Sequence, residues 1–135
     1  MAKTRPIGKV VEQAATLMQK LTRLKAADKD GVATCVTCGK RAHWKEMDGG
    51  HFISRTYSRH KLNEENCHAQ CPGCNRFSNR SIDDYFLFMV DMYGQDHVRQ
   101  MIETKREVVK WNRAELDDII KDFKERIKTE EARLQ

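Results

Sequence analysis

The sequence predicts an α+β fold that is mainly helical, with a cysteine-rich middle set between helical ends. Three observations carry this prediction. Apolar residues recur at i, i+3, i+4 and i+7 near both ends of the chain, the period of helices that bury one face. Between them, residues 32–75 keep no helical period and are rich in Gly, Cys and His. Four of the five cysteines fall into two pairs, Cys35-Val36-Thr37-Cys38 and Cys71-Pro72-Gly73-Cys74. The 135 residues suit one domain. We read residues 1–135 as a unit made of an N-terminal helix over 7–27, a core over 32–93 and C-terminal helices over 94–135.

The elements follow in order. Val10, Val11, Ala14, Leu17, Met18, Leu21 and Leu24 form the stripe of the first helix. Pro6 suits its start, and Asp28-Lys29-Asp30-Gly31 reads as its stop and a turn. Residues 32–34 are expected as a short strand entering the first cysteine pair. Residues 43–47 and 51–54 are expected as strand segments around Gly49-Gly50. Residues 56–65 are polar and basic and read as a loop, with 66–70 as the return strand. Helix is expected to resume after Cys74, where Ile82, Tyr85, Phe86, Met89 and Val90 make one stripe ending near Gly94. Val98, Met101 and Ile102 suggest a short further helix. Asn112 is a good N-cap with Glu115 three residues on. Leu116, Ile119, Ile120, Phe123 and Ile127 then line one face of a last helix, read as core packing.

Composition narrows the function. The chain holds 25 Lys+Arg against 20 Asp+Glu, and the excess is uneven: residues 1–80 carry +8 and residues 81–135 carry −3. A basic front suggests a polyanionic partner. The longest apolar run, Tyr85-Phe86-Leu87-Phe88-Met89-Val90, is far short of the ~20 residues of a membrane span. No apolar run follows the N-terminus, so no signal peptide is expected, and the expected setting is a reducing cytoplasm. Disulfides are disfavoured there. Two CxxC pairs then read as a four-thiolate structural zinc site of Cys35, Cys38, Cys71 and Cys74, closed and without an open position. Cys67 is left over and reads as a small buried residue.

The 32 residues between the pairs hold Asp48-Gly49-Gly50-His51, then Asn66, and Asn75 follows the second pair directly. A histidine and two asparagines converging on one side of a hairpin–helix unit suit metal-assisted phosphodiester cleavage. His51 suits the general base, because an imidazole titrates near working pH. Asn75 offers a neutral oxygen to a hard cation such as magnesium. Asn66 suits a strut that holds the loop or the imidazole.

These residues resemble a known family. Cys35-x-x-Cys38, His51, Asn66 and Cys71-x-x-Cys74-Asn75 look like the HNH, or His-Me finger, nucleases. More closely, Gly50-His51-Phe52-Ile53-Ser54-Arg55 with Asn66-x-His68-x-Gln70-Cys71-x-x-Cys74-Asn75 resembles the phage NinG/Rap recombination nucleases. Trp111-Asn112 and the helix after it are also similar, as is the arrangement in phage recombination endonuclease VII. The resemblance implies a zinc-stapled ββα-metal core and hydrolysis of one DNA strand with Mg2+ or Mn2+. It also implies branched recombination intermediates, such as Holliday junctions and D-loops, as substrates, and a bacterial host cytoplasm as the setting. It gives His51 the general-base position, Asn75 a metal-ligand position and Asn66 the structural asparagine position.

One departure matters. Many HNH nucleases carry a metal-binding acid directly before the base, and here that residue is Gly50. Asp48 lies on the same face of a regular strand and is one candidate ligand, unless a bulge at Gly49-Gly50 re-aims it. His68 on the return strand is the other. Arg55, Arg59, Lys61, Arg76 and Arg80 are the candidate phosphate contacts, with Arg76 and Arg80 one helical turn apart. Tyr57 is placed to stack on an unpaired base. Symmetric cutting needs two active sites, so a homodimer built on the first or last helix is expected. A non-catalytic zinc-stapled DNA-binding module, a generic HNH nicking enzyme and a helical protein adaptor are the alternatives.

Overall fold

The computed structural model describes residues 5–77 and 81–135. It is a mixed fold of helices and two small antiparallel sheets. The elements are α1 (Ile7–Ala26), β1 (Val32–Thr34), β2 (Arg41–His43), β3 (Asp48–His51), β4 (Cys67–Gln70), α2 (Pro72–Arg76), α3 (Ile82–Tyr93), α4 (Gln95–Glu103) and α5 (Arg113–Arg133). No described helix is long and apolar enough to cross a membrane.

The end of α1 is built as its sequence suggests. Asp28 Oδ1 accepts from the Asp30 and Val32 amides, and Gly31 takes φ +80°. A side chain at Gly31 would also press on the His43 ring, 2.9 Å from its Nε2. The turn delivers the chain into β1, which pairs with β2.

The stripe of α1 is used in two places. Val10, Val11 and Ala14 pack on Leu116 and Ile120 of α5. Met18, Leu21 and Leu24 join Ala33, Trp44, Met47, Cys67, Phe123 and Ile127 in the main core. The apolar faces of α1 and α5 thus cover each other, so the two helices proposed for a dimer interface spend their stripes inside the chain. Arg133 closes the arrangement by donating to the carbonyls of Leu24 and Ala27 at the end of α1. Asn112 caps α5: its Oδ1 accepts from the Glu115 amide, and its Nδ2 donates to the Glu115 carboxylate.

Two sequence expectations need correction. Gly49-Gly50 is not a turn between strand segments. Both glycines lie inside β3, which pairs with β4 in unbroken register, Asp48 with Gln70 through His51 with Cys67, so no bulge intervenes. The reason is close approach. A Cβ at Gly49 would lie 2.8 Å from the Gln19 Cβ of α1, and one at Gly50 would lie 1.8 Å from Gln70 Oε1. Residues 44–46 form a single 3-10 turn rather than strand, and β2 pairs with β1. The stripe of α3 is used only in part. Only Tyr85 and Met89 of it are buried, packed with Ile53, Val98 and Met101, while Ile82 and Phe86 are exposed.

Candidate metal-assisted cleft beside a four-cysteine cluster

The cysteine pairs are brought together by topology. β1 runs into the first pair, whose turn is closed by Cys35 N–H to Lys40 O and Gly39 N–H to Cys35 O, with Gly39 at φ +80°. β4 runs into the second pair, where Cys71 is the N-cap of α2 and Pro72 occupies its first turn. This starts the helix before Cys74 rather than after it. The Val36 amide donates to Ala69 O and ties the first turn to β4.

All four Sγ atoms lie within 4.8 Å of one another, and those of Cys38 and Cys71 are 3.7 Å apart. Sulfurs ~2.3 Å from a tetrahedral zinc lie ~3.8 Å apart, so the cluster can hold a structural zinc ion. Burial opposes ionisation of Cys35. Hydrogen bonds from the Thr37 hydroxyl and from nearby backbone amides outweigh it and bring the thiol down to about 6. Burial and the neighbouring thiols push Cys74 up to about 12. A divalent cation held among the four sulfurs would favour their thiolate forms. Cys67 stays outside this cluster. It is buried in the core, and burial raises its thiol to about 11.

Beside the cluster lies a cleft of about 700 Å3 lined by His51, Asp48, Gln70, Asn75, Arg76 and Arg55, among others. His51 ends β3, and its Nε2 lies 3.1 Å from the Lys61 carbonyl. A carbonyl only accepts, so Nε2 carries the proton and Nδ1 keeps the lone pair. Burial holds the His51 pKa below its ordinary 6.5, and the charges of Arg55 and Lys61 add to this. The ring is therefore a neutral base at pH 7.

Asn66 explains how the carbonyl is held. It is completely buried. Its Oδ1 accepts from Ile53 N–H at 2.8 Å, and its Nδ2 donates to Ile53 O at 2.9 Å and His60 O at 3.2 Å. The loop between β3 and β4 is thereby closed on itself, one residue from the Lys61 carbonyl. His60 pins the same loop to α4 by donating from Nε2 to Met101 O at 2.9 Å.

Asp48 faces Asn75 and Arg76. Its Oδ2 accepts from Asn75 Nδ2 at 3.0 Å and from Arg76 Nε at 3.2 Å. A carboxylate does not donate, so Asn75 Nδ2 must face Asp48 and Asn75 Oδ1 is turned away from it. His68 goes elsewhere. Its Nε2 lies 3.0 Å from both Glu65 O and the Tyr93 hydroxyl, and its ring packs on Tyr85, Phe88 and Tyr93. It does not line the cleft.

The basic residues are held by acids. Glu12 of α1 bonds both Arg55, at 3.2 Å, and Lys61. Arg59 pairs with Glu107 at 3.5 Å. The Tyr57 ring is covered by Lys105 and Arg106. Arg80 lies outside the described residues, and α2 ends at Arg76. Two cleft cations escaped the sequence reading, Arg23 of α1 and Lys45. Arg23 lies one turn after Gln19, the residue on which Gly49 packs, and this link between distant segments has no local signature.

Comparison with curated proteins and with solved structures found no match. The family model described as "Bacteriophage Lambda NinG protein" matches residues 1–132.

Proposed function

The chain belongs to the bacteriophage lambda NinG family, and on that premise we propose that it is a metal-dependent DNA endonuclease acting on branched recombination intermediates. In this reading β3, β4 and α2 form a ββα-metal unit of the His-Me finger type, stapled by zinc at its base. The observation that carries the reading is the state of His51. Its Nε2 is fixed on the Lys61 carbonyl, which leaves Nδ1 as the ring's acceptor, and the ring lines a cleft that also holds Asp48, Asn75 and several cations.

The roles follow from that arrangement. His51 Nδ1 takes the proton from an attacking water. Asp48 and Asn75 offer oxygens to Mg2+ or Mn2+, which when bound would stabilise charge on the phosphate and the leaving oxygen. Arg55, Arg76, Arg23 and Lys45 hold phosphates without reading bases. Asn66 is a positioning residue that keeps the loop and the Lys61 carbonyl in place. No described helix has the form of a base-reading element, which favours recognition of branch shape. Two copies would serve the two strands of a junction.

The test is a labelled four-way junction incubated with zinc-loaded protein, in magnesium and then in EDTA, with linear duplex and single strands alongside. Wild type is expected to nick the junction only with magnesium, and His51→Ala to bind it without cutting. Cutting by His51→Ala at the wild-type rate would remove His51 from the base role. A second reading, a non-catalytic DNA-binding module, is favoured by Gly50 in place of an acid and by the occupation of Asp48 by Arg76. Binding by wild type with no cut in either metal would establish it.

A further inference from the structure

We propose that Gln70 supplies the metal-binding oxygen missing at position 50, oriented by Thr37 on the zinc cluster. The proposal rests on the endonuclease reading above and concerns the same cleft.

Gly50 sits directly before His51, the position at which the resemblance to HNH nucleases implies a metal-binding acid. The space that such a side chain needs is filled. A Cβ built on Gly50 would lie 1.8 Å from Gln70 Oε1 and 3.0 Å from Asn75 Oδ1. Two carboxamide oxygens therefore flank the one point from which a residue-50 side chain would start. β3 and β4 make this possible. Asp48 and Gly50 share a face with Gln70, because Asp48 pairs with Gln70 in register.

Gln70 is only 2% exposed, yet it lines the cleft. Its Nε2 donates to Thr37 Oγ1 at 3.3 Å, while no donor among the described residues reaches its Oε1. An oxygen on a buried side chain, reached from the cleft and beside a second amide oxygen, is suited to a hard cation. The amide orientation has a cause. Thr37 Oγ1 lies 3.2 Å from Cys35 Sγ. A metal-bound thiolate only accepts, so the Thr37 hydroxyl donates to it and presents its lone pairs to Gln70 Nε2. The Oε1 of Gln70 is then turned toward Gly50 and Asn75. Zinc in the cysteine cluster thus fixes a ligand of the second ion through one hydroxyl and one amide.

The experiment measures Mn2+ binding to the zinc-loaded full chain by electron paramagnetic resonance, so nuclease activity is not the readout. Far-UV circular dichroism and zinc content verify folding of each variant. Gln70→Met, which keeps the length and removes the oxygen, is expected to weaken Mn2+ binding about tenfold or more. Thr37→Val is expected to weaken it less, with zinc retained. Gly50→Asp/Gln70→Ala exchanges the ligand between strands and is expected to recover the binding lost in Gln70→Met. Unchanged binding in Gln70→Met while Asn75→Ala loses it would overturn this proposal and leave the endonuclease reading standing. A loss in a folded Gln70→Met that the exchange variant does not recover would also overturn it. Absence of Mn2+ binding in wild type would overturn both.

Discussion

Asn66→Ala is expected to cost stability and function by separable amounts. The side chain is fully buried and makes three hydrogen bonds to loop backbone at 2.8, 2.9 and 3.2 Å. Each contributes about 1 kcal/mol net, and a buried group left without a partner costs about 1–3 kcal/mol. Water reaching part of the cavity offsets some of this, which places the loss at about 3–4 kcal/mol. For a chain of this size that lowers the unfolding midpoint by roughly 10 °C. Thermal and urea unfolding of zinc-loaded protein, followed by circular dichroism, measures it. Asn112→Ala is the comparator, since an exposed N-cap is worth about 1 kcal/mol. Under conditions where the variant is folded, junction nicking should still fall at least tenfold, because the His60 carbonyl held by Asn66 neighbours the Lys61 carbonyl that orients His51. A midpoint shift no larger than that of Asn112→Ala would refute the strut. Normal nicking in the folded fraction would refute the coupling to His51.

Three further outcomes are expected. Burial lowers the pKa of His51, His60 and His68 from 6.5, so the unfolded chain binds protons first as pH falls. Stability should be full above pH ~6.5 and decline below it, and nicking should hold below pH 6.5 until His51 itself protonates, both read from a pH series at constant ionic strength. Zinc analysis should find one ion per chain, and chelation or Cys35→Ser should collapse the sheets, seen as loss of cooperative unfolding. Glu12→Gln should release Arg55 and Lys61, tightening junction binding several-fold and steepening its salt dependence, as a titration of binding against salt would register.

The four-cysteine cluster was legible because its signal is local. A CxxC turn places two sulfurs on one side of an ion whatever the rest of the chain does, and two such turns can close the shell. The first and last helices were legible for the same kind of reason, since period and caps lie within one segment. The strands of the middle were placed less well. Gly49-Gly50 has the form of a turn in sequence, but the glycines serve the approach of α1 and of Gln70, which come from elsewhere in the chain. The stripe of α3 was legible as a period, but which of its residues are covered was not: Tyr85 and Met89 are buried while Ile82 and Phe86 are exposed. His68 was a fair rival ligand by position, and only the ring cluster of Tyr85, Phe88 and Tyr93 draws it away.

The sequence offered His51, Asn66 and Asn75 as candidates from their order between and after the cysteine pairs, and the fold brings His51 and Asn75 to one cleft while Asn66 is buried in the loop behind it. The sequence by itself determined the long helices at both ends, which four cysteines belong together and that the basic residues concentrate in the front half. Tertiary structure decided that His51 is protonated on Nε2, that Asp48 faces Asn75, that Glu12 holds two of the cations and that Gln70 fills the space at Gly50. The physical reason is one of range. Backbone period, capping and chelate turns are set by neighbours a few residues apart, whereas a tautomer, an amide orientation or an ion pair is set by whichever distant group the fold delivers within ~3 Å.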